Sequence, residues 1–210
     1  MKKNIVIVGA GGFGREVYNY VLDCVKNGAD WQIKGFIDDN LSALNNYDYP
    51  QKVISSIKDY APAEGDAFIC AIGLPEPKIE FVNMLLARGA KFETLIHPTA
   101  YIGKNVKIGA GTVVCPGVKL TCDAEIGDYA MLNCNAVCGH DSRVGAFAVV
   151  SSFCDITGFC EVGEGAFLAS RVSMRPSAKV GKRARVGIGS CVIMNIKDGV
   201  SAFGNPAVKI

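Results

Sequence analysis

Residues 126–144 read IGDYAMLNCNAVCGHDSRV and repeat a pattern of six residues. An apolar residue stands at every sixth position, and a small residue follows it four positions later. The same phase extends in both directions, from Ile96 to Val192, through seventeen units without a slip. The apolar column consists of Ile96, Ile102, Ile108, Val114, Leu120, Ile126, Leu132, Cys138, Val144, Val150, Ile156, Val162, Leu168, Met174, Val180, Val186 and Val192.

A period of six fits neither an α-helix nor a strand with two different faces, because those periods are 3.6 and 2. It fits a short strand followed by a corner, with the bulky side chain inward on the strand and the small one inward at the corner. Three units then close a triangular coil, so seventeen units predict about five and a half stacked coils of the hexapeptide β-helix class. Most of these residues need no function beyond burial, so chemistry is expected at the outward corners and at the ends.

Composition excludes several classes of protein. The chain has 210 residues and a formal net charge of +2, and its basic residues are scattered, which does not suggest nucleic-acid or membrane-surface binding. The apolar run from Ile5 to Ala10 is too short for a signal peptide, and no run reaches the roughly 20 residues that span a bilayer. We therefore predict a soluble, cytoplasmic protein with no nucleic-acid or membrane partner.

The nine cysteines do not read as a disulfide framework. Their number is odd, and no two of them form a C-x-x-C pair. Cys138, Cys154 and Cys160 fall on inward positions of the repeat, where cysteine acts as a small apolar residue. We expect no metal site and no catalytic thiol.

The N-terminal region predicts a strand, a glycine turn and a helix. The strand covers residues 2–8, the turn GAGGFG covers residues 9–14 and fits G-x-G-x-x-G, and the helix covers residues 15–25. This order is the one that holds a phosphate at a helix N-terminus, so Gly11, Gly12 and Phe13 are candidate ligand contacts. A second strand, residues 32–37, ends at Asp38 and Asp39, where an acidic residue often binds a ribose hydroxyl.

The length of this region helps to distinguish between NAD and a nucleotide-linked substrate as its ligand. Residues 1–94 hold one βαβαβ half, with a further strand at 66–72 that ends at Gly73, a helix at 78–88 and a short strand at 91–95. A complete dinucleotide fold needs two halves, so a nucleotide-linked substrate fits better than NAD, and a turn without a ligand is the other alternative. The predicted organisation is a small Rossmann-like α/β domain (1–94), the β-helix (95–197) and an irregular capping tail (198–210).

His140 is the residue best placed for chemistry. It lies at a corner between the inward residues Cys138 and Ser142, so His140 and Asp141 are expected to point outward. A histidine oriented by a carboxylate can act as a general base. Gly158 comes eighteen residues later, one coil along the same edge, where its N–H can stabilise an oxyanion.

Two other residues, His97 and Cys122, are interpreted as structural. His97, the other histidine, comes just before Pro98 at the start of the coils and is interpreted as structural. Cys122, eighteen residues before His140, is expected to serve in packing.

These features together resemble a known family. The glycine turn with Asp38 and Asp39, the segment LIHP at 95–98, the hexad run, the corner at 139–141 and the segment GNPA at 204–207 look like the bacterial sugar acyltransferases of the left-handed β-helix class. That class includes sialic-acid O-acetyltransferase-like proteins and N-acetyltransferases of nucleotide-linked 4-amino-6-deoxysugars, such as the bacillosamine-pathway type. The resemblance covers essentially the whole chain.

The resemblance implies a left-handed coil, a homotrimer, and acetyl-CoA bound between the prism-shaped β-helices of neighbouring copies. It implies that the N-terminal domain holds the nucleotide sugar and that His140, Asp141 and Gly158 carry catalysis. Residues implied to bind acetyl-CoA are Gly158, Ala169, Gly187, Gly204, Pro206 and Ala207. One departure is Val149, since some relatives carry a second histidine nine residues after the first.

The predicted function is acetyl transfer from acetyl-CoA to a sugar, with N-acetylation of a nucleotide-linked 4-amino-6-deoxyhexose as the first hypothesis. O-acetylation of a sialic-acid-type sugar and a non-catalytic scaffold are the alternatives. A prism-shaped carbonic anhydrase would need a cluster of zinc-binding histidines, and the chain has two histidines in all. A nicotinamide oxidoreductase is disfavoured by the short N-terminal domain.

Overall fold

The computed structural model describes residues 2–210 and divides into two compact units. The first unit ends at Pro98 and the second begins at Thr99. The boundary predicted from sequence, between residues 94 and 95, lies four residues earlier. The C-terminal segment 198–210 belongs to the second unit.

The first unit contains a parallel sheet with its strands in the order β3-β2-β1-β4. Its elements are β1 (Lys3–Val8), α1 (Gly12–Lys26), β2 (Trp31–Ile37), β3 (Val53–Ser55), β4 (Asp66–Cys70), α2 (Pro75–Ala87) and β5 (Leu95–Ile96). Residues 5–8 of the central strand β1 are fully buried. This burial explains their continuous apolar run, since a strand inside a parallel sheet is covered on both faces.

Local chemistry explains where this unit departs from the predicted boundaries. Helix α1 begins at Gly12 rather than at residue 15, because the glycine turn itself forms its first turn. Helix α2 begins at Pro75 rather than at residue 78, since proline suits the first helical position. The strand predicted at 91–95 is reduced to one bridge between Phe92 and Phe68, followed by β5. The three-residue strand β3 was not predicted.

The second unit is the predicted parallel β-helix, which confirms the fold class. Except for the last three coil strands, each strand pairs in register with the strand three places later, as when Val137 and Cys138 pair with Asp155 and Ile156. The spacing is eighteen residues, one coil. The strands are β6 (Tyr101–Ile102), β7 (Lys107–Ile108), β8 (Val113–Val114), β9 (Lys119–Leu120), β10 (Glu125–Ile126), β11 (Met131–Leu132), β12 (Val137–Cys138), β13 (Arg143–Val144), β14 (Val149–Val150), β15 (Asp155–Ile156), β16 (Glu161–Val162), β17 (Phe167–Leu168), β18 (Ser173–Met174), β19 (Lys179–Val180), β20 (Arg185–Val186) and β21 (Cys191–Val192).

The coils present three flat faces. Face A holds β7, β10, β13, β16 and β19; face B holds β8, β11, β14, β17 and β20; face C holds β6, β9, β12, β15, β18 and β21. The chain runs from A to B to C and back to A, so each coil turns at an A–B, a B–C and a C–A edge. The apolar column is almost fully buried except at its start, where Ile96 is 38% and Ile102 is 37% exposed. Ile102 is exposed because β6 is the terminal strand of face C.

A core substitution should show how much this column contributes to stability. Leu132 is fully buried and lies in register between Val114 and Val150. We expect Leu132→Ala to destabilise the fold by about 2–5 kcal/mol, since it removes buried methyl groups and leaves a cavity. Lys119→Ala, at an exposed outward position, should leave the thermal unfolding midpoint unchanged. Equal midpoints for the two variants in differential scanning fluorimetry would contradict the inward orientation of Leu132.

The C-terminal tail is more regular than expected. The sequence predicted an irregular cap over residues 198–210, but the tail forms β22 (Ser201–Phe203) and β23 (Val208–Lys209). Strand β22 pairs in parallel with β20, and β23 pairs with β22 in antiparallel orientation. A short strand in this place satisfies backbone groups of the last coil that would otherwise form an open edge.

Candidate active site

The corner at residues 139–142 lies on the C–A edge, between β12 and β13. Asp141 adopts the left-handed conformation with φ 58°, which an aspartate tolerates, and its N–H donates to the carbonyl oxygen of Cys122 at 3.2 Å. The Ser142 hydroxyl, fully buried, donates to Gly139 O at 2.7 Å. These bonds tie the corner to its own turn and to the coil before it, so the backbone beneath His140 is well held.

The His140 side chain points outward and pairs with Asp141. Its Nδ1 lies 2.9 Å from Asp141 Oδ2, and both side chains are about half exposed. Because the carboxylate accepts a hydrogen bond, Nδ1 carries the proton of the neutral ring and Nε2 is left with a free lone pair. Such a pair on the outside of the edge has the chemistry needed to accept a proton as a general base.

Gly158 lies directly under the imidazole. A Cβ added to Gly158 would lie 2.5 Å from His140 Nε2 and 2.6 Å from Cε1, closer than such atoms can approach. The ring occupies this place because residue 158 has no side chain. The structure thus brings together the three residues predicted for catalysis, and it places the Gly158 backbone beside the basic nitrogen.

The other histidine has a different environment. His97 is buried, its Nε2 lies 3.3 Å from Asp23 Oδ2, and its ring meets Tyr20 edge to face at 5.6 Å. These contacts with helix α1 agree with the structural interpretation of His97.

Most of the cysteines are buried, Cys134 and Cys191 are partly buried, and Cys122 is exposed. Burial raises the pKa of Cys138 to about 12 and that of Cys154 to about 11, so these thiols are poor nucleophiles. Cys122 corrects the packing expectation, because it is exposed on the C–A edge one coil before His140. Residues 2–210 contain no cluster of three or more histidine, cysteine or acidic side chains able to hold a metal ion.

The glycine turn of the first unit is built around Asp38. The carboxylate accepts the Ala10 N–H at 2.7 Å through Oδ2 and the Asn40 N–H at 2.8 Å through Oδ1. Asp39 accepts the Ile57 N–H at 3.1 Å. Both acidic residues therefore support the backbone, and a ribose contact would use their remaining lone pairs.

The helix N-terminus at this turn is open. Gly11 and Gly12 are exposed, and a Cβ on Gly11 would meet no atom within 4 Å among residues 2–210. The α1 N-terminus, with Phe13 in its first turn, thus offers unhindered backbone N–H groups. Such a terminus suits an anion.

The sequence analysis missed Arg15, one residue after the glycine turn. Its guanidinium carbon lies 3.5 Å from the centroid of the Tyr47 ring. Its Nη2 lies 3.9 Å from the position of a Cβ on Gly12, and its Nε is buried without a hydrogen-bond partner among residues 2–210. A stacked cation with an unused donor beside an open helix N-terminus fits a phosphate group. The feature of the sequence that could have indicated Arg15 is the position of a basic residue in the first turn of the predicted helix.

Both units of the chain are similar to known proteins. Residues 4–85 match the family model described as the PglD N-terminal domain. GDP-perosamine N-acetyltransferase of Escherichia coli O157:H7 is 26% identical over 96% of this chain and 93% of its own length. UDP-N-acetylbacillosamine N-acetyltransferase of Bacillus subtilis is 31% identical over 53% of this chain and 51% of its own. The crystal structure of PerB from Caulobacter crescentus, in complex with CoA and GDP-perosamine, superimposes with a TM-score of 0.89 at 28% identity, covering 99% and 97% of the two chains.

The protein is an acetyltransferase, and over almost its whole length it is similar to sugar N-acetyltransferases of the hexapeptide-repeat class. The handedness implied by the resemblance is therefore confirmed. No helix of the acetyltransferase within residues 2–210 is both long and apolar enough to cross a membrane.

Two of the residues predicted to bind acetyl-CoA, Ala169 and Gly187, lie on a different edge of the acetyltransferase from His140. Ala169 and Gly187 follow β17 and β20, on the B–C edge, whereas His140 and Gly158 lie on the C–A edge. Except for Gly158, the predicted residues are thus not brought to His140 within one chain. In the tail, the Gly204 N–H donates to Ser190 Oγ at 3.0 Å and the Ala207 N–H to Cys191 O at 2.8 Å, which holds Gly204, Pro206 and Ala207 against the last coil.

Two further predicted positions have clear locations. Val149, where some relatives carry a second histidine, is an outward residue of face B and is 1% exposed. Gly73 follows β4, at the carboxyl edge of the first sheet. At the same edge, burial lowers the pKa of Lys78 in the first turn of α2 to about 8, with the nearby Cys70 thiol acting in the opposite direction.

Proposed function

We propose that the acetyltransferase moves an acetyl group from acetyl-CoA to the 4-amino group of a nucleotide-linked 4-amino-6-deoxyhexose. The observation that carries this proposal is the arrangement of His140, with Asp141 on Nδ1 at 2.9 Å and Gly158 under Nε2. Relatives named for acetylation of GDP-perosamine and UDP-N-acetylbacillosamine support an amino sugar as acceptor. The bound CoA and GDP-perosamine of PerB support the two substrates.

The reaction uses one base and no covalent enzyme intermediate. The neutral amine attacks the thioester carbonyl, and His140 Nε2 takes the amine proton as the new C–N bond forms. The Gly158 N–H stabilises the oxygen of the tetrahedral intermediate. The C–S bond then breaks, and the imidazolium returns its proton to the departing CoA thiolate. Asp141 keeps the ring in the required tautomer and stabilises its charged form.

The first unit is proposed to hold the nucleotide part of the acceptor. Gly11 and Gly12 admit a diphosphate to the backbone N–H groups at the start of α1, and the Arg15 guanidinium adds a positive charge there. The nucleoside is proposed to contact Phe13, Asp38, Asp39 and Gly73. A nucleotide thus contributes binding energy at a distance from the reacting amine.

The acetyl-CoA site is proposed to lie between copies of the chain in a homotrimer. Catalytic His140 lies on the C–A edge, while Ala169 and Gly187 lie on the B–C edge. A CoA molecule that touches both sets along neighbouring parallel prisms meets the C–A edge of one copy and the B–C edge of the next. Analytical ultracentrifugation should give the mass of three chains, and a monomer with full activity would contradict this arrangement.

A thiol-release assay with acetyl-CoA tests the function. The acceptors would be UDP-, GDP- and dTDP-linked 4-amino-6-deoxyhexoses, together with free and CMP-linked sialic acid. We expect release with an amino sugar. Release with sialic acid alone would favour the O-acetyltransferase alternative, and silence together with no acetyl-CoA binding in calorimetry would favour a scaffold.

Arg15→Met should separate binding from catalysis. We expect KM for the nucleotide sugar to rise about tenfold with kcat nearly unchanged, because a charge-assisted phosphate contact is worth roughly 1.5–3 kcal/mol and is made equally in the ground and transition states. Lys26→Met, in the last turn of the same helix, is the matched control and should keep the wild-type KM. An unchanged KM in Arg15→Met would remove Arg15 from the site.

A further inference from the structure

Phe159 touches the proposed general base. Its ring lies 5.0 Å from the His140 ring, centroid to centroid, at an angle of 88°. Its N–H donates to His140 O at 3.0 Å, and 55% of its surface is exposed. No predicted role of this chain uses Phe159, although its ring lies against the imidazole of the proposed base.

The backbone at Phe159 is unfavourable for a phenylalanine. Its φ is 60°, a left-handed conformation that asparagine and aspartate tolerate better than bulky residues do. The matching corner position in other coils of the C–A edge is occupied by Asn105, Asp123, Asp141 and Ser177. Tyr129, Phe147 and Phe153 share this conformation at corners of the other two edges, so the backbone by itself assigns Phe159 no role. What distinguishes Phe159 is that its ring lies against the imidazole of His140.

We infer that Phe159 selects the acceptor by receiving the methyl group at C6 of a 4-amino-6-deoxyhexose on its exposed face. This inference rests on the proposed function. The reacting amine must lie about 2.6–3.2 Å from His140 Nε2 for proton transfer. The methyl group is attached to C5, and C5 is bonded to the carbon that carries the amine.

An amine placed at Nε2 therefore brings this methyl group within reach of a ring that stands perpendicular to the imidazole. A sugar with a hydroxymethyl group in this place would bring a hydroxyl against the aromatic surface. That hydroxyl would lose hydration without gaining a hydrogen bond from the ring. Phe159 thus favours a 6-deoxy acceptor over its 6-hydroxy counterpart.

The test compares two acceptors that carry the same nucleotide and 4-amino group and differ at C6. For wild type, kcat/KM should favour the 6-deoxy sugar by about tenfold or more, the range expected for one small group against an apolar surface. Phe159→Asn should bring this ratio close to one, and Phe159→Leu should keep a preference because it retains an apolar side chain. A lost contact with His140 slows both acceptors alike, so the ratio isolates the methyl contact.

Phe147→Asn is the matched control. Phe147 has φ 58° at a corner of the A–B edge, away from His140, so this variant should keep the wild-type ratio. The unfolding midpoint of Phe159→Asn should not fall below that of wild type, since asparagine suits the conformation. A wild-type ratio in Phe159→Asn, or equal use of both acceptors by wild type, would overturn the inference and leave the proposed function intact. No turnover of either acceptor by wild type would overturn the proposed function and this inference with it.

Discussion

His140→Ala is expected to lower kcat on the order of 10²–10⁴-fold, the contribution of a positioned general base. The amine would then have to lose its proton to water in the same transition state. The His140 side chain is about half exposed, so the fold and the unfolding midpoint should be preserved. Thiol release at saturating acetyl-CoA and acceptor gives kcat directly.

Two variants make this result specific. Lys104→Ala changes an exposed residue at the same position of its hexad, two coils earlier on the C–A edge, and should keep wild-type kcat. Asp141→Asn should lower kcat by less than His140→Ala, because the base remains but its tautomer and charged form are less well supported. Wild-type turnover in His140→Ala would show that another group accepts the proton.

Gly158→Ala should reduce kcat about 100-fold with little change in stability. The new Cβ would lie 2.5 Å from His140 Nε2, so the imidazole must move, and a misplacement of about 1 Å can cost on the order of 100-fold in rate. The ring is half exposed and can swing outward at low cost to folding. Alanine keeps the backbone N–H, so the loss reports on the position of the base.

A double-mutant cycle distinguishes this explanation from a general disturbance of the coil. If Gly158→Ala acts by displacing the ring, it should have almost no further effect in a His140→Ala background, since coupled residues are not additive. Full additivity would mean that residue 158 acts independently of His140. A large fall in the unfolding midpoint of Gly158→Ala would show instead that the coil itself had been disrupted.

The coils were predictable because their pattern is one-dimensional. A bulky residue at every sixth position and a small one four places later determine which side chains point inward, and parallel pairing eighteen residues apart follows from three units per coil. The first unit was less predictable at its ends. The strand β3 has three residues and no clear period, and the tail strands β22 and β23 form because an adjacent coil offers unpaired backbone groups, which a local pattern does not show.

In the candidate site, too, some features were predictable from the sequence and others were not. His140, Asp141 and Gly158 follow from the repeat, since its phase defines outward corners and its coil length relates residues 140 and 158. The role of Asp38 does not follow, because its bond to Ala10 spans 28 residues. The contact of Arg15 with Tyr47 likewise joins residues far apart in sequence.

By itself, the sequence determined the β-helix, the glycine turn and the outward corner that carries His140 and Asp141, because each depends on the spacing of residues near one another in the chain. The tertiary structure alone decided that the imidazole lies over Gly158, that Phe159 stands against it, and that Ala169 and Gly187 occupy a different edge from His140. The physical reason is that side-chain distances across coils depend on how the corners stack and on which rotamers fit. A six-residue period in the sequence determines neither.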